Sequence, residues 1–266
     1  SIYDGEIKRN YRDKFEIDIY IPDLNIGFEF NGLYWHSNKF KNNEYHLKKT
    51  QHFNERDIKI IHIWEDEWCD KKEIIKSQVK YTLNLIKNKV FARKCIVKEI
   101  DVDTISNFLD NNHIQGTCNS IVKLGLFYDD NLVSVMSFDK FEGRKNMKDG
   151  GWNLNRFCNL INTSVVGSAS KLLSHFIKEY SPMRIISYAD YSWSSGGLYK
   201  MLKFEEVYIS KPDYKYVIDN KRKHKSNIRK YIKESKKTES EFVKENVILK
   251  IYDCGKIKYE LSLYKK

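Results

Sequence analysis

Two carboxylates near the N-terminus, Asp18 and Glu29, stand in a pattern suited to holding a metal ion. Phe15, Ile17, Ile19 and Ile21 alternate with Glu16, Asp18 and Tyr20, the two-residue period of a strand with one apolar face. Pro22-Asp23-Leu24-Asn25 has the composition of a turn. The return strand carries Ile26, Phe28 and Phe30 on the apolar face, which leaves Gly27, Glu29 and Asn31 on the face of Asp18. If the four turn residues close the hairpin, Ile21 pairs with Ile26 and Asp18 stands opposite Glu29. Directly opposed β-carbons lie about 4.5–5.5 Å apart, and like charges there repel. Mg²⁺ or another divalent cation would offset that repulsion. It prefers carboxylate oxygens and keeps several waters, one of which can become a nucleophile toward phosphate. A solvated polar face is the other reading of the same pattern.

The elements that must position this pair follow in order. A polar connection after His36 leads to a predicted helix over 44–56, where His46 and Lys49 are three apart and share a face. Residues 58–64, IKIIHIW, form the near-continuous apolar run of a strand buried on both sides, and Glu65, Asp66 and Glu67 end it. An amphipathic helix over 71–89 closes the first domain.

Asp18 followed by Glu29-Phe30-Asn31 resembles the PD-(D/E)xK nuclease core, with Asn31 where that family's lysine stands. Gly32-Leu33-Tyr34-Trp35-His36 resembles the variant of that core in very-short-patch repair endonucleases, and residues 15–68 are similar to the nuclease domain of phage-encoded homing endonucleases. The resemblance implies a restriction-endonuclease-like fold and a Mg²⁺-dependent endonuclease acting on double-stranded DNA. Asp18 and Glu29 would hold the metal, and His36 and His46 would position or protonate groups around the scissile phosphate. Asn31 and Lys49 are second candidates, Lys49 supplying the charge that Asn31 lacks. In those nucleases a helix ahead of the first strand carries a further glutamate. Beginning at Ser1, this chain reads as a fragment or processed product, and Glu6 does not match that position.

From Val90 the pattern changes. The sequence predicts a strand over 92–100, a helix over 103–111 capped by Asp103 or Thr104, a hairpin of 121–128 with 132–138, a strand over 152–158, a helix opened by small residues, and a strand over 185–189. This order resembles the GNAT acyltransferase fold. Gly167-Ser168-Ala169 fits the family's pyrophosphate loop, but Ser164 occupies its Gln/Arg position and Lys203 replaces a glycine near the final strand. The expected use of this scaffold is DNA contact or support rather than acyl transfer.

Residues 220–237 contain nine lysines and arginines against the single acid Glu234, which reads as a phosphate-binding element, with Lys221, Arg222, Lys223, Arg229 and Lys230 as the named contacts. The final residues 247–263 read as a hairpin turning at Cys254-Gly255. The whole is an α/β (α+β) protein with a nuclease domain over 1–90, a GNAT-like domain over 91–217 and a basic segment over 218–266. A net charge of +11 with 14% aromatic residues suits a nucleic-acid partner. Five scattered cysteines without a C-x-x-C pair argue against a disulfide framework or zinc ribbon and fit a reduced cytoplasm. No apolar run reaches the length of a membrane span. The alternatives are a GNAT-type acyltransferase carrying a degenerate nuclease-like domain, and an inactive DNA-binding protein.

Overall fold

The alternation on either side of Pro22 produces the expected hairpin. In the computed structural model, which describes residues 3–141 and 151–263, β1 (Lys8–Arg12) and β2 (Glu16–Ile21) are antiparallel, and β2 pairs with β3 (Ile26–Asn31) in the counted register, Ile21 opposite Ile26. Pro22–Leu24 is a 3-10 turn, and Asn25 takes the left-handed conformation that closes it. The helix α1 (Tyr45–Asn54) crosses to β4 (Lys59–Trp64), which joins β3 in parallel. One expectation about faces is corrected. Glu29 and Asn31 are buried, whereas Ile19 and Phe30 are exposed. The reason is α1, which lays Lys49 against Glu29 and packs Phe53 with Ile17 and Ile60. Gly27 is required by the same packing, because a β-carbon there would meet Ile60 Cδ1 at 2.5 Å and Ile17 Cγ2 at 2.9 Å. The acidic triplet opens a short helix, α2 (Glu65–Asp70), rather than ending a strand.

The next elements are α3 (Lys72–Thr82), β5 (Lys89–Phe91), β6 (Ile96–Glu99) and α4 (Val102–Asn112). α3 stops short of the expected Lys89, with Asn84 at φ 56°. The cap of α4 is Asp101, whose carboxylate accepts the Thr104 N–H at 2.7 Å, and not Asp103 or Thr104. β7 (Val122–Tyr128) and β8 (Asn131–Lys140) form the expected hairpin through Asp129 and Asp130, both left-handed. Then come β9 (Gly151–Asn159), β10 (Ser164–Val166), α5 (Ser168–Tyr180), β11 (Arg184–Asp190), α6 (Gly197–Met201) and β12 (Glu205–Ile209). β10 pairs in parallel with β5, so the segment expected to form an open phosphate loop is partly a strand.

The tail begins with β13 (Tyr214–Ile218) and β14 (Lys221–Lys223), continues through α7 (Arg229–Ser235) and α8 (Glu239–Glu245), and ends in β15 (Leu249–Tyr252) and β16 (Lys256–Ser262). The expected terminal hairpin is corrected, because β15 pairs with β13 and β16 enters another sheet. Ile251 explains the choice: it packs with Leu33, Trp64 and Val217. The sheets run β1-β2-β3-β4, β10-β5, β14-β13-β15 and β12-β16-β11-β9-β8-β7-β6.

The chain is a mixed α/β protein of two units, one comprising residues 1–70, 189–195 and 209–257, the other residues 71–188, 196–208 and 258–266. The expected boundaries after residues 90 and 217 are not where these units divide. Among the described residues no helix is long and apolar enough to cross a membrane.

Candidate functional site

The four-stranded sheet and α1 enclose a cleft of about 590 Å³ in the first unit. β1 and β2 supply Arg12, Glu16 and Asp18, with Lys14 between them. β3 supplies Glu29, the following loop His36 and Lys41, and α1 Tyr45 and Lys49. Of the sequence candidates, Asp18, Glu29, His36 and Lys49 therefore meet at one surface. Asn31 is turned into the core, where its amide contacts His62 Nδ1 at 3.1 Å. His46 is buried behind His36, its Nε2 3.0 Å from His36 Nδ1.

Electrostatics at the cleft are dominated by burial. Glu29 is 5% exposed, and desolvation raises its carboxyl to about 7 even though the Lys49 ammonium bonded to it pulls the other way. Among the described residues its Oε2 has no hydrogen-bond partner. Burial lowers His36 to about 4 and His46 to about 3, so both rings are neutral at pH 7. Asp18 accepts the Phe30 N–H at 2.7 Å, and Arg12 is bonded to Glu16.

This arrangement corrects the metal expectation. Lys49 already supplies the positive charge that the pair of carboxylates was expected to draw from Mg²⁺. Among the described residues no three His, Cys, Asp or Glu side chains gather to hold a metal ion.

The named tail cations divide. Arg222 is a structural residue: its guanidinium bonds Asp66 at 2.9 Å and Glu67 at 2.6 Å, lies 4.4 Å from the Trp64 ring centre and is 6% exposed. Lys221 pairs with Asp70 at 2.7 Å and Lys223 with Asp219 at 2.9 Å. Arg229 and Lys230 lie exposed on α7.

Sequence reasoning assigned no role to a group that the loop after β3 builds. Tyr34, Trp35 and Phe40 pack on one another with ring centres 4.9–5.1 Å apart, all three exposed, Trp35 at 64%. Lys39 donates to the Tyr34 hydroxyl at 2.7 Å, and Lys41 lies 4.1 Å from the Tyr45 ring centre. The signal was present as three aromatics and two lysines between Tyr34 and Lys41, but only packing shows that the rings stay outside the core.

No family model and no curated protein matches the chain. Among solved structures it is similar to a GNAT family acetyltransferase from Elizabethkingia anophelis with acetyl-CoA bound, at 11% identity over 64% of this chain and 99% of that one, TM-score 0.37. A GNAT family acetyltransferase from Bacillus cereus ATCC 10987 gives 12% identity over 64% and 99%, TM-score 0.35. The N-acetylglutamate synthase of Neisseria gonorrhoeae, complexed with coenzyme A and N-acetyl-glutamate, gives 10% identity over 64% and 35%, TM-score 0.37. Likeness at this level does not carry the function of those proteins to this chain. The expected Mg²⁺-dependent endonuclease, a hydrolase, is corrected on the chain's own side chains: the described residues do not assemble the metal site that such a nuclease requires.

Proposed function

We propose that the first unit binds double-stranded DNA without cutting it. The observation that supports this reading is the packed, exposed trio of Tyr34, Trp35 and Phe40, interleaved with Lys39 and Lys41 in the loop that also lends His36 to the cleft. Aromatic wedges of this kind insert between base steps, and flanking cations hold the phosphates. Fluorescence anisotropy with a labelled duplex across a salt series tests it. Trp35→Ala is expected to weaken binding by about 1–3 kcal/mol, the usual worth of a base–aromatic stack, and to leave the salt slope intact. Absence of binding at low salt, or wild-type affinity in this variant, would sink the reading.

A second reading concerns the other unit. Among the described residues β9 and β11, which are parallel, pair from Arg184–Ile186 against Gly151–Asn153, although both strands run on. The Tyr199 hydroxyl lies 2.9 Å from Ser187 Oγ near that parting, and burial raises its pKa, keeping the phenol protonated. A protonated phenol there suits donation to the thiolate leaving an acyl thioester. Calorimetry with acetyl-CoA decides: low-micromolar affinity supports acyl transfer, and the Ser164 and Lys203 departures lead us to expect weak binding or none.

A further inference from the structure

We infer that Asn38 is a positioning residue for the aromatic trio, acting through β15 of the C-terminal sheet; the inference rests on the DNA-binding reading above. The loop that carries the rings has no regular secondary structure to stiffen it, yet both of its flanks are held. At its start the Glu65 carboxylate accepts the Leu33 N–H at 2.8 Å. Beyond Trp35, Ser37 ties the loop to itself, its Oγ donating to the Tyr34 carbonyl at 2.7 Å and its carbonyl accepting the Phe40 N–H at 3.0 Å. The anchor outside the loop comes from far along the chain: the Asn38 N–H donates to the Lys250 carbonyl at 2.7 Å, and the Lys250 N–H donates to Asn38 Oδ1 at 2.8 Å. Asn38 thus behaves as a one-residue strand, its main chain and side chain closing a reciprocal pair of bonds on the edge of β15. The edge is itself fixed, since Ile251 is buried with Leu33 and Trp64 and β13 pairs with β15 along its length. Asn38 lies between Trp35 and Phe40 in sequence, so releasing it frees the loop, which Ser37 still holds together from within, to shift against β15.

The side chain of Asn38 is exposed, so its removal does not open the core. An exposed aromatic group binds well only when its geometry is fixed beforehand, because ordering it on binding costs entropy. Asn38→Ala breaks one of the two bonds, and the net worth of one such bond corresponds to a loss of about three- to tenfold in affinity.

The test compares wild type, Asn38→Ala, Asn38→Asp, Trp35→Phe and Trp35→Ala on the same duplex. Three quantities are read: affinity, salt slope, and the DNA-induced tryptophan fluorescence change that Trp35→Phe assigns to Trp35. Asn38→Ala is expected to bind about three- to tenfold more weakly with a diminished Trp35 signal, a melting temperature lowered by a few degrees at most, and an unchanged salt slope, since no cation is lost. Asn38→Asp keeps the acceptor for the Lys250 amide and is expected to restore the Trp35 signal. Wild-type affinity and signal in Asn38→Ala, with Trp35→Ala still weakened, would overturn the positioning role alone. A Trp35→Ala variant that binds as wild type removes the DNA-binding reading, and the role of Asn38 falls with it.

Discussion

Two buried ion pairs in the first unit use the same chemistry to opposite ends. Lys49 against Glu29 forms the floor of an open cleft, engages one carboxylate, leaves Glu29 Oε2 without a partner among the described residues and coexists with a carboxyl raised to about 7. Arg222 engages two carboxylates with its side chain, donates its own backbone N–H to Asp66 at 2.9 Å, and is covered by Trp64. The planar fork of arginine satisfies several acceptors at once, whereas a lysine ammonium acts as a point charge. What lies over the pair decides whether it lines an open cleft or serves as a staple between segments.

The comparison is broken most strongly at Arg222. Arg222→Ala leaves Asp66 and Glu67 buried without their cation, and a loss of about 3–5 kcal/mol is expected in denaturant unfolding. A loss below about 1 kcal/mol would mean that the tail cation is not a staple.

The next effect is pH dependence at Glu29. Its folded pKa, about 7, lies above the usual 4.5, so the native state binds the proton more tightly than the unfolded state does. The stability this contributes is full below about 4.5 and is lost as pH rises through 7. The change is on the order of 3 kcal/mol, since a tenfold difference in proton affinity is worth about 1.4 kcal/mol. The neutral His36 and His46 push stability the other way over the same range. The part due to Glu29 is therefore read as the difference in unfolding free energy between wild type and Glu29→Gln, which should change by that amount between pH 4.5 and 7.5; a difference that does not vary with pH would place Glu29 in a far more polar setting.

The smallest effect separates free from engaged cations. Replacing Lys14 and Lys41, which line the cleft, by alanine should make log K against log salt shallower by about two, at about 0.9 per phosphate contact. Replacing Lys221 and Lys223, already held by Asp70 and Asp219, should change it by less than about one. The reverse order would return phosphate binding to the tail.

Much of this architecture was legible because its determinants are local. The two-residue period and a four-residue turn fixed the register of β2 on β3, and Asp129-Asp130-Asn131 marked the β7–β8 hairpin. Asp18, Glu29, His36 and Lys49 meet for the same reason, being carried by adjacent strands, a loop and a crossover helix. What the sequence concealed depends on distant partners. Charge density in residues 220–237 does not distinguish Arg222, whose acids lie 156 and 155 positions away, from exposed Arg229. The helical turn of Glu65–Asp70 and the separation of β15 from β16 depend likewise on Arg222 and on the pocket for Ile251.

The bond between Asn38 and Lys250 spans 212 positions of chain. At a synthesis rate of about 5–20 residues per second, Asn38 leaves the ribosome roughly ten to forty seconds before its partner exists. Throughout that interval the aromatic loop lacks its C-terminal anchor, and Leu33 and Trp64 beside it lack the Ile251 that covers them. Slow translation or premature termination between these two residues would accordingly favour aggregation through Tyr34, Trp35 and Phe40.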